Sequence, residues 1–385
     1  MVYNIQIASA PSQIPRDAWN GLLALSEQAT PFMRHEYLCA LHDSGCAVTA
    51  TGWTPAFVTL WQNDQLQAAC PLYLKTHSYG EYVFDWAWAQ AYAQHGLTYY
   101  PKALVAVPFT PVPGTRLLAR DTQARNALVQ ALLEFCSAQK LSSLHVLLQS
   151  SDDQRACEAH ELMRRQIVQF HWTNTKNRFK NFDDFLLTLS QDKRKKIKQE
   201  RRKVEQAGVR FRTLVGEQIS TTDWDFFYRC YSQTYFEHGN APYLSRAFFD
   251  AMAREMTSNW VLFVGERLGQ PIACSLVAVS EISTNATAYG RYWGAIDRVS
   301  CLHFEACYYQ PLQWCIEQGL QRFEGGAQGE HKLARGLLPV QSTSAHWLAH
   351  PDFADAVAHY LQREEHGVAN YLDELESRSP LRASG

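Results

Sequence analysis

The sequence predicts an α/β fold with mixed sheets, built as two tandem copies of one module, and three observations predict it. At 385 residues the chain is longer than one compact core needs. Its 46% hydrophobic and 19% charged residues are an ordinary globular balance, which excludes a disordered or fibrous protein. The chain also matches itself. Residues 31–41 parallel 242–252 in polarity and size, Phe57-Val58 parallels Phe263-Val264, 69–72 parallel 273–276, and 84–89 parallel 289–294. The order is kept while the offset drifts from 211 to 204 and 205, a drift that loop lengths absorb.

Each copy then reads in the same order. A helix over 34–42, or 245–256, is followed by a hairpin, which in the second copy is 260–266, a turn at Leu268-Gly269-Gln270, and 271–280. A third strand is expected over 82–89, or 287–293. A helix over 302–318 follows, with Phe304, Tyr308, Leu312, Cys315 and Ile316 at helical spacing, a kink at Pro311 and a stop at Gly319. A short strand over 320–324 runs into Gly325-Gly326-Ala327-Gln328-Gly329. Between the copies, 122–139 reads as a helix, 143–149 as a strand and 150–153 as an acidic turn. The expected modules are 1–170 and 171–385, the second holding a basic helix over 192–204 and an amphipathic C-terminal helical tail over 353–375.

The net charge of −2 and pI near 6.7 exclude a generic nucleic-acid coat. No run approaches 18 apolar residues, and the start lacks a basic and then apolar leader pattern, so a cytoplasmic protein is expected. The ten cysteines show neither C-x-x-C nor zinc-ribbon spacing and read as small buried hydrophobes, so no metal is expected.

Positions 73–100 carry nine aromatics in 28 residues. If 82–89 is a strand, Tyr82, Phe84, Trp86 and Trp88 share one face, and Asp85 stands alone among small apolar groups on the other. Such a carboxylate either holds a loop backbone or acts as a base with a perturbed pKa. Residues 324–335 gather Glu324, Glu330, His331, Lys332 and Arg335 around three glycines, either as a turn with solvated charges or as a ligand loop. His303 and Glu305 read more weakly, as a helix cap and a surface pair. Residues 193–203 hold eight basic residues and Glu200, a net +7 that leaves −9 for the rest of the chain. That run is either a solvated face or a funnel for RNA or polyphosphate. No G-x-S-x-G elbow or Walker loop is present.

These modules, together with 51–55, His77-Ser78-Tyr79-Gly80-Glu81-Tyr82-Val83-Phe84-Asp85-Trp86-Ala87-Trp88, 108–114 and 323–332, resemble tandem acyl-CoA N-acyltransferase (GNAT) folds. More closely, the chain is similar to the Fem-like N-acyltransferases related to the enzymes of peptidoglycan cross-bridges. The resemblance implies transfer of an acyl or aminoacyl group to an amine, by direct attack in a cleft where the 287–293 and 320–324 strands splay apart. It implies acyl-CoA or aminoacyl-tRNA as donor, and an amine acceptor such as a cell-wall precursor or a small molecule. Neither a clean G-x-G/A pyrophosphate loop nor a coiled-coil arm is present, which leaves the donor open. The expected catalytic bases are Glu330, then Asp85. Expected substrate contacts are Trp86, Trp88, Tyr289, Arg291, Trp293, Glu324, Gly325, Gly326, His331, Lys332 and Arg335. Lys195, Lys198, Arg201 and Arg202 are the expected anion contacts, with tRNA a candidate partner. The alternative is a non-catalytic protein that holds RNA or a cell-wall precursor.

Overall fold

The computed structural model describes residues 2–175, 178–280, 286–326 and 329–382. Within them the chain forms two compact units, Met1–Val168 with Gln341–Tyr371, and Gln169–Val340 with Leu372–Gly385.

In the first unit, edge strand β1 (Asn4–Ala8) is followed by α1 (Arg16–Ala24) and α2 (His35–Asp43). A long hairpin comes next. Its outgoing arm is β2 (Trp53–Pro55) and β3 (Phe57–Gln62), and its return arm is β4 (Gln65–Cys70) and β5 (Leu72–Lys75). Asn63 and Asp64 both take positive φ, 50° and 59°, which a tight two-residue hairpin turn requires. After α3 (Trp86–Gln94), β6 (Lys102–Val105) pairs antiparallel with β5 and parallel with β8 (Ser143–Gln149). The short β7 (Leu118–Ala119) joins β4, α4 (Thr122–Ala138) covers the sheet, and α5 (Ser151–Ala159) follows β8. Part of β9 (Met163–Thr173) also belongs here. Leu60, Leu72, Val105, Leu128, Leu132, Leu144 and Val146 fill the core between sheet and helix. The last strand, antiparallel to β8, comes from β15 (Leu338–Leu348), and α12 (Pro351–Ser377) begins in this unit.

The second unit contains the end of β9, then α6 (Phe182–Leu187), α7 (Gln191–Gln206), β10 (Val209–Val215), α8 (Thr221–Glu237) and α9 (Arg246–Glu255). Its hairpin, β11 (Trp260–Arg267) and β12 (Gln270–Val279), turns on Leu268 and Gly269, again both at positive φ. β13 (Thr287–Ala295) pairs antiparallel with β12 and parallel with β14 (Arg322–Glu324), and β14 pairs antiparallel with β9. The succession antiparallel, antiparallel, parallel, antiparallel from the hairpin onward is therefore the same in both units. The fold is mixed α/β with two GNAT-like modules.

Four expectations change. Residues 84–89 are not a strand equivalent to β13, because Trp86 begins α3. The strand that occupies that place is β6. The stretch 341–371, expected in the second module, packs in the first unit. Residues 150–153 are a helix start rather than a turn: Ser150 accepts from the Asp153 N–H and caps α5. The helix over 302–318 is interrupted, running as α10 (Leu302–Phe304), a π turn over Glu305–Tyr309, and α11 (Gln310–Glu317). Pro311 has no N–H to return to the Cys307 carbonyl four residues back, and the helix widens just before it.

Candidate functional site

β13 and β14 pair only at Thr287, Ala288 and Tyr289, opposite Arg322, Phe323 and Glu324. Past Tyr289 they part. Leu276 of β12 faces Tyr292 while Val277 faces Gly290, so Arg291 is an extra, bulged residue that bends the strand. β14 leaves through Gly325 and Gly326, the latter at φ +87°. A Cβ on Gly325 would lie 2.6 Å from Leu337 Cδ2, so only glycine fits this turn as it stands. The opening is a cavity of about 140 Å³. Ser275, Leu276 and Val277 of β12 line it together with Gly290, Arg291, Tyr292 and Trp293 of β13. His303, Cys307 and Tyr308 line it from the helix, and Gly325 and Gly326 from the turn.

The π turn sets what the helix contributes. Its Tyr308 hydroxyl lies 2.9 Å from His331 Nε2. His303 stacks edge-on against Trp293 and Tyr308, with centroids 5.1 and 5.7 Å away, and its ring makes no hydrogen bond to a described residue. Burial, and then the neighbouring His331, Arg335 and Lys332, lower the His303 pKa to about 4, so the ring is neutral at pH 7. Lys332 is buried, donates to the Gly326 carbonyl at 2.7 Å and has its pKa lowered by burial to about 8. The cleft thus holds an unbonded neutral imidazole, a tyrosine hydroxyl and an ammonium pinning its glycine turn.

The structure brings Arg291, Trp293, Gly325 and Gly326 together in this cleft, with His331 one hydrogen bond behind it and Lys332 beneath the turn. Tyr289 is buried at the last paired position of β13, facing Glu324, whose carboxylate is 3.8 Å from His171 Nε2. Arg335 is buried, paired through Nη2 at 2.9 Å with both Glu200 oxygens and lying 3.4 Å over the Phe304 ring. Glu330 is not among the lining residues: its half-exposed carboxylate pairs with Arg378 at 3.3 Å. Ala327 and Gln328 of the glycine turn lie outside the described residues.

Asp85 is buried in the first unit, at the N-cap position of α3. Burial works to raise its pKa, but Lys102, His145 and Ser78 hold it well below the usual carboxylate range. Trp88 is buried against His145 and His346, while Trp86 points outward. On α7, Lys195, Lys198 and Arg202 are exposed, but Arg201 turns inward to Glu305 at 3.1 Å and Gln313 at 3.0 Å. Sequence reasoning missed Cys307 and Tyr308 and ranked His303 low, because their arrangement depends on a π turn that helical periodicity does not encode.

The corresponding opening of the first unit is filled by its own chain. Ala103, Leu104 and Val105 pair with Leu144, His145 and Val146, as Thr287–Tyr289 pairs with Arg322–Glu324, which aligns Leu148 with Gly326. Leu148 shares the positive φ, at 54°. Its carbonyl accepts from the Gly114 N–H at 3.0 Å, and the Leu147 carbonyl accepts from Arg116 Nε at 3.0 Å. Arg116 also donates to the Gly114 and Val112 carbonyls and is 1% exposed.

The model of the FemAB-like family, described as peptidoglycan biosynthesis/recognition, matches residues 10–383. No curated protein matches the sequence. Among solved structures, the chain is similar to FemX, with TM-score 0.54 and 9% identity over 90% of this chain and 98% of that one. It is similar to L-PGS from Bacillus licheniformis, with TM-score 0.52 and 10% identity over 92% and 99%. A tandem GNAT protein from the clavulanic acid biosynthesis pathway gives TM-score 0.50 and 11% identity over 91% and 99%. At these identities the likeness is one of fold. Among the described residues no helix is long and apolar enough to cross a membrane, and no group of three or more His, Cys, Asp or Glu is arranged to hold a metal ion.

Proposed function

The chain belongs to the FemAB-like family, and on that premise we propose that the cleft between β13 and β14 is an N-acyl-transfer site. In this reading an acyl or aminoacyl ester or thioester enters the gap past Tyr289 and is attacked by an amine, such as the free amine of a cell-wall precursor. The observation that carries the reading is His303, a neutral, unbonded imidazole on the wall of a cleft made by parting strands. The acceptor enters as the free amine, its nitrogen lone pair adds to the carbonyl carbon, and His303 takes the proton that the nitrogen sheds as the amide forms. The oxyanion forms against the strand edge that β14 leaves unpaired. When the carbon–oxygen or carbon–sulfur bond breaks, the leaving group takes that proton from His303, which returns the ring to its neutral form.

A second observation bears on the donor. The N–H groups of Leu302, Phe304 and Glu305 already donate to Val299 and Cys301 carbonyls at 3.0 to 3.2 Å. Most of the first helical turn is thus unavailable to a pyrophosphate, which favours an aminoacyl ester over acyl-CoA. The test presents wild-type protein and His303→Gln with a panel of acyl-CoAs and aminoacyl-tRNAs plus amine acceptors, and follows acceptor mass. Transfer from an aminoacyl ester, lost in His303→Gln, is expected. No transfer from any donor would leave only the binding function.

A further inference from the structure

The cleft of the second unit depends on an irregular helix, and the irregularity is held from outside that helix. His303 and Tyr308 are five residues apart, which on a regular α-helix would set them about 140° apart around the axis. Here their ring centroids are 5.7 Å apart, and both residues line the cleft together with Cys307. The π turn over Glu305–Tyr309 makes the difference, because its extra residue per turn brings side chains five apart onto one face.

A π turn gives up a backbone hydrogen bond. The Gln310 N–H donates five residues back, to the Glu305 carbonyl, rather than four back to Ala306. The next backbone nitrogen in reach belongs to Pro311, which carries no proton. The Ala306 carbonyl is therefore left without a donor from its own helix, and Ala306 is wholly buried. A buried carbonyl in that position needs a partner from elsewhere. Ser275, on β12, supplies it: the Ser275 hydroxyl donates to the Ala306 carbonyl. Ser275 is 3% exposed and is itself one of the residues lining the cleft. A hydroxyl has a single proton, and this one is committed to Ala306, so Ser275 does not donate to a bound substrate.

The first unit provides the contrast. In the internal repeat, Ala69-Cys70-Pro71-Leu72 stands against Ala273-Cys274-Ser275-Leu276, with proline in place of the serine. The helix between the first unit's parallel strands, α4, is a regular α-helix over all 17 residues of Thr122–Ala138. The unit with the hydroxyl has the π turn and the open cleft, and the unit without it has neither. Removing the hydroxyl frees the Gln310 N–H to return to Ala306. The turn then closes into α geometry, which rotates His303 by about 100° relative to Tyr308.

We propose that Ser275 is a positioning residue whose hydroxyl holds the π turn open and so keeps His303 and Tyr308 on the cleft wall. Its bearing on catalysis rests on the acyl-transfer reading of the cleft, so the deciding measurement uses no substrate. The experiment is an NMR titration of the His303 ring in the full chain, assigned with His303→Gln, for wild type, Ser275→Ala and Ser275→Thr. Besides Trp293 and Tyr308, the groups that act on this ring are His331, Arg335 and Lys332. The wild-type midpoint is expected at about 4. In Ser275→Ala the ring leaves its buried place, and the midpoint should rise toward the ordinary value of about 6.5. Ser275→Thr keeps the hydroxyl and should titrate like the wild type. An unchanged midpoint in a folded Ser275→Ala, or the same rise in Ser275→Thr, would overturn the proposal. With a competent donor, Ser275→Ala should also lower kcat about tenfold or more at little change in KM, and Ser275→Thr should keep most of the rate. If the wild type transfers nothing, the titration still decides the positioning, and only the acyl-transfer reading falls. If Ser275→Ala fails to fold, Ser275→Cys, close in size but a weak donor, takes its place in the same comparison.

Discussion

At His303, burial and three cationic or basic neighbours act in the same direction, and the consequence is a pH profile. With its pKa lowered to about 4, the ring is a competent base from neutrality down to that value and loses its lone pair to a proton only below it. If the cleft transfers acyl groups as proposed, the His303 contribution to kcat/KM should stay flat from pH 7 toward 5 and fall through about 4. Using acceptors of different amine pKa separates this limb from acceptor ionisation. His303→Gln should lower kcat by roughly 10²–10⁴ with little change in KM. An enzyme limb near 6.5 would assign the base elsewhere. The sequence reading favoured Glu330 because a carboxylate beside three glycines fits a ligand loop. Sequence spacing does not reveal that this carboxylate meets Arg378, 48 positions away, nor that a weakly ranked histidine turns into the gap.

At the scale of elements, α7 shows what a charge run leaves undetermined. Ile197 and Val204, seven apart, do mark a buried stripe, and the segment is helical over Gln191–Gln206. Charge alone did not show that Glu200 lies on the same buried side, receiving Arg335 and the Tyr309 hydroxyl, or that Arg201 reaches Glu305. The helix therefore has two kinds of charge. Lys195, Lys198 and Arg202 are solvated, so their combined replacement by alanine should leave the melting temperature within a few degrees and weaken any polyanion binding. Glu200→Ala strands a buried guanidinium and should cost about 3–5 kcal/mol, read as a large fall in melting temperature. Equal melting temperatures for the two variants would mean the Glu200–Arg335 pair contributes nothing. α3 illustrates the opposite error. Trp86-Ala87-Trp88-Ala89 alternates like a strand, but alanine at 87, 89, 91 and 93 favours a helix, in which Trp88 and Tyr92 share the buried side.

For the whole molecule, the internal repeat was legible because the hairpins and the helix before them keep their polarity pattern, and three of the four matched segments lie in corresponding elements. The fourth match was one of composition only. What the repeat could not reveal is that its copies differ in the gap between the parallel strands. There the second unit has a cavity lined by Gly290, Arg291 and Trp293 on one side and Gly325 and Gly326 on the other, and the first has Arg116 donating to three carbonyls. A guanidinium so bonded cannot leave without stranding those carbonyls and itself, so no donor displaces it. On the proposed reading, one donor site per chain is expected. Calorimetric titration with a non-hydrolysable aminoacyl-amide RNA microhelix, and separately with a thioether acyl-CoA analogue, should give a stoichiometry of one for whichever analogue binds. Trp293→Ala should weaken that binding, because Trp293 lines the open gap. Ala106→Val, at the first-unit position that the strand registers align with Gly290, should leave it unchanged. Two equivalents per chain, or loss of binding in a folded Ala106→Val, would mean that the first unit opens in solution despite its buried arginine.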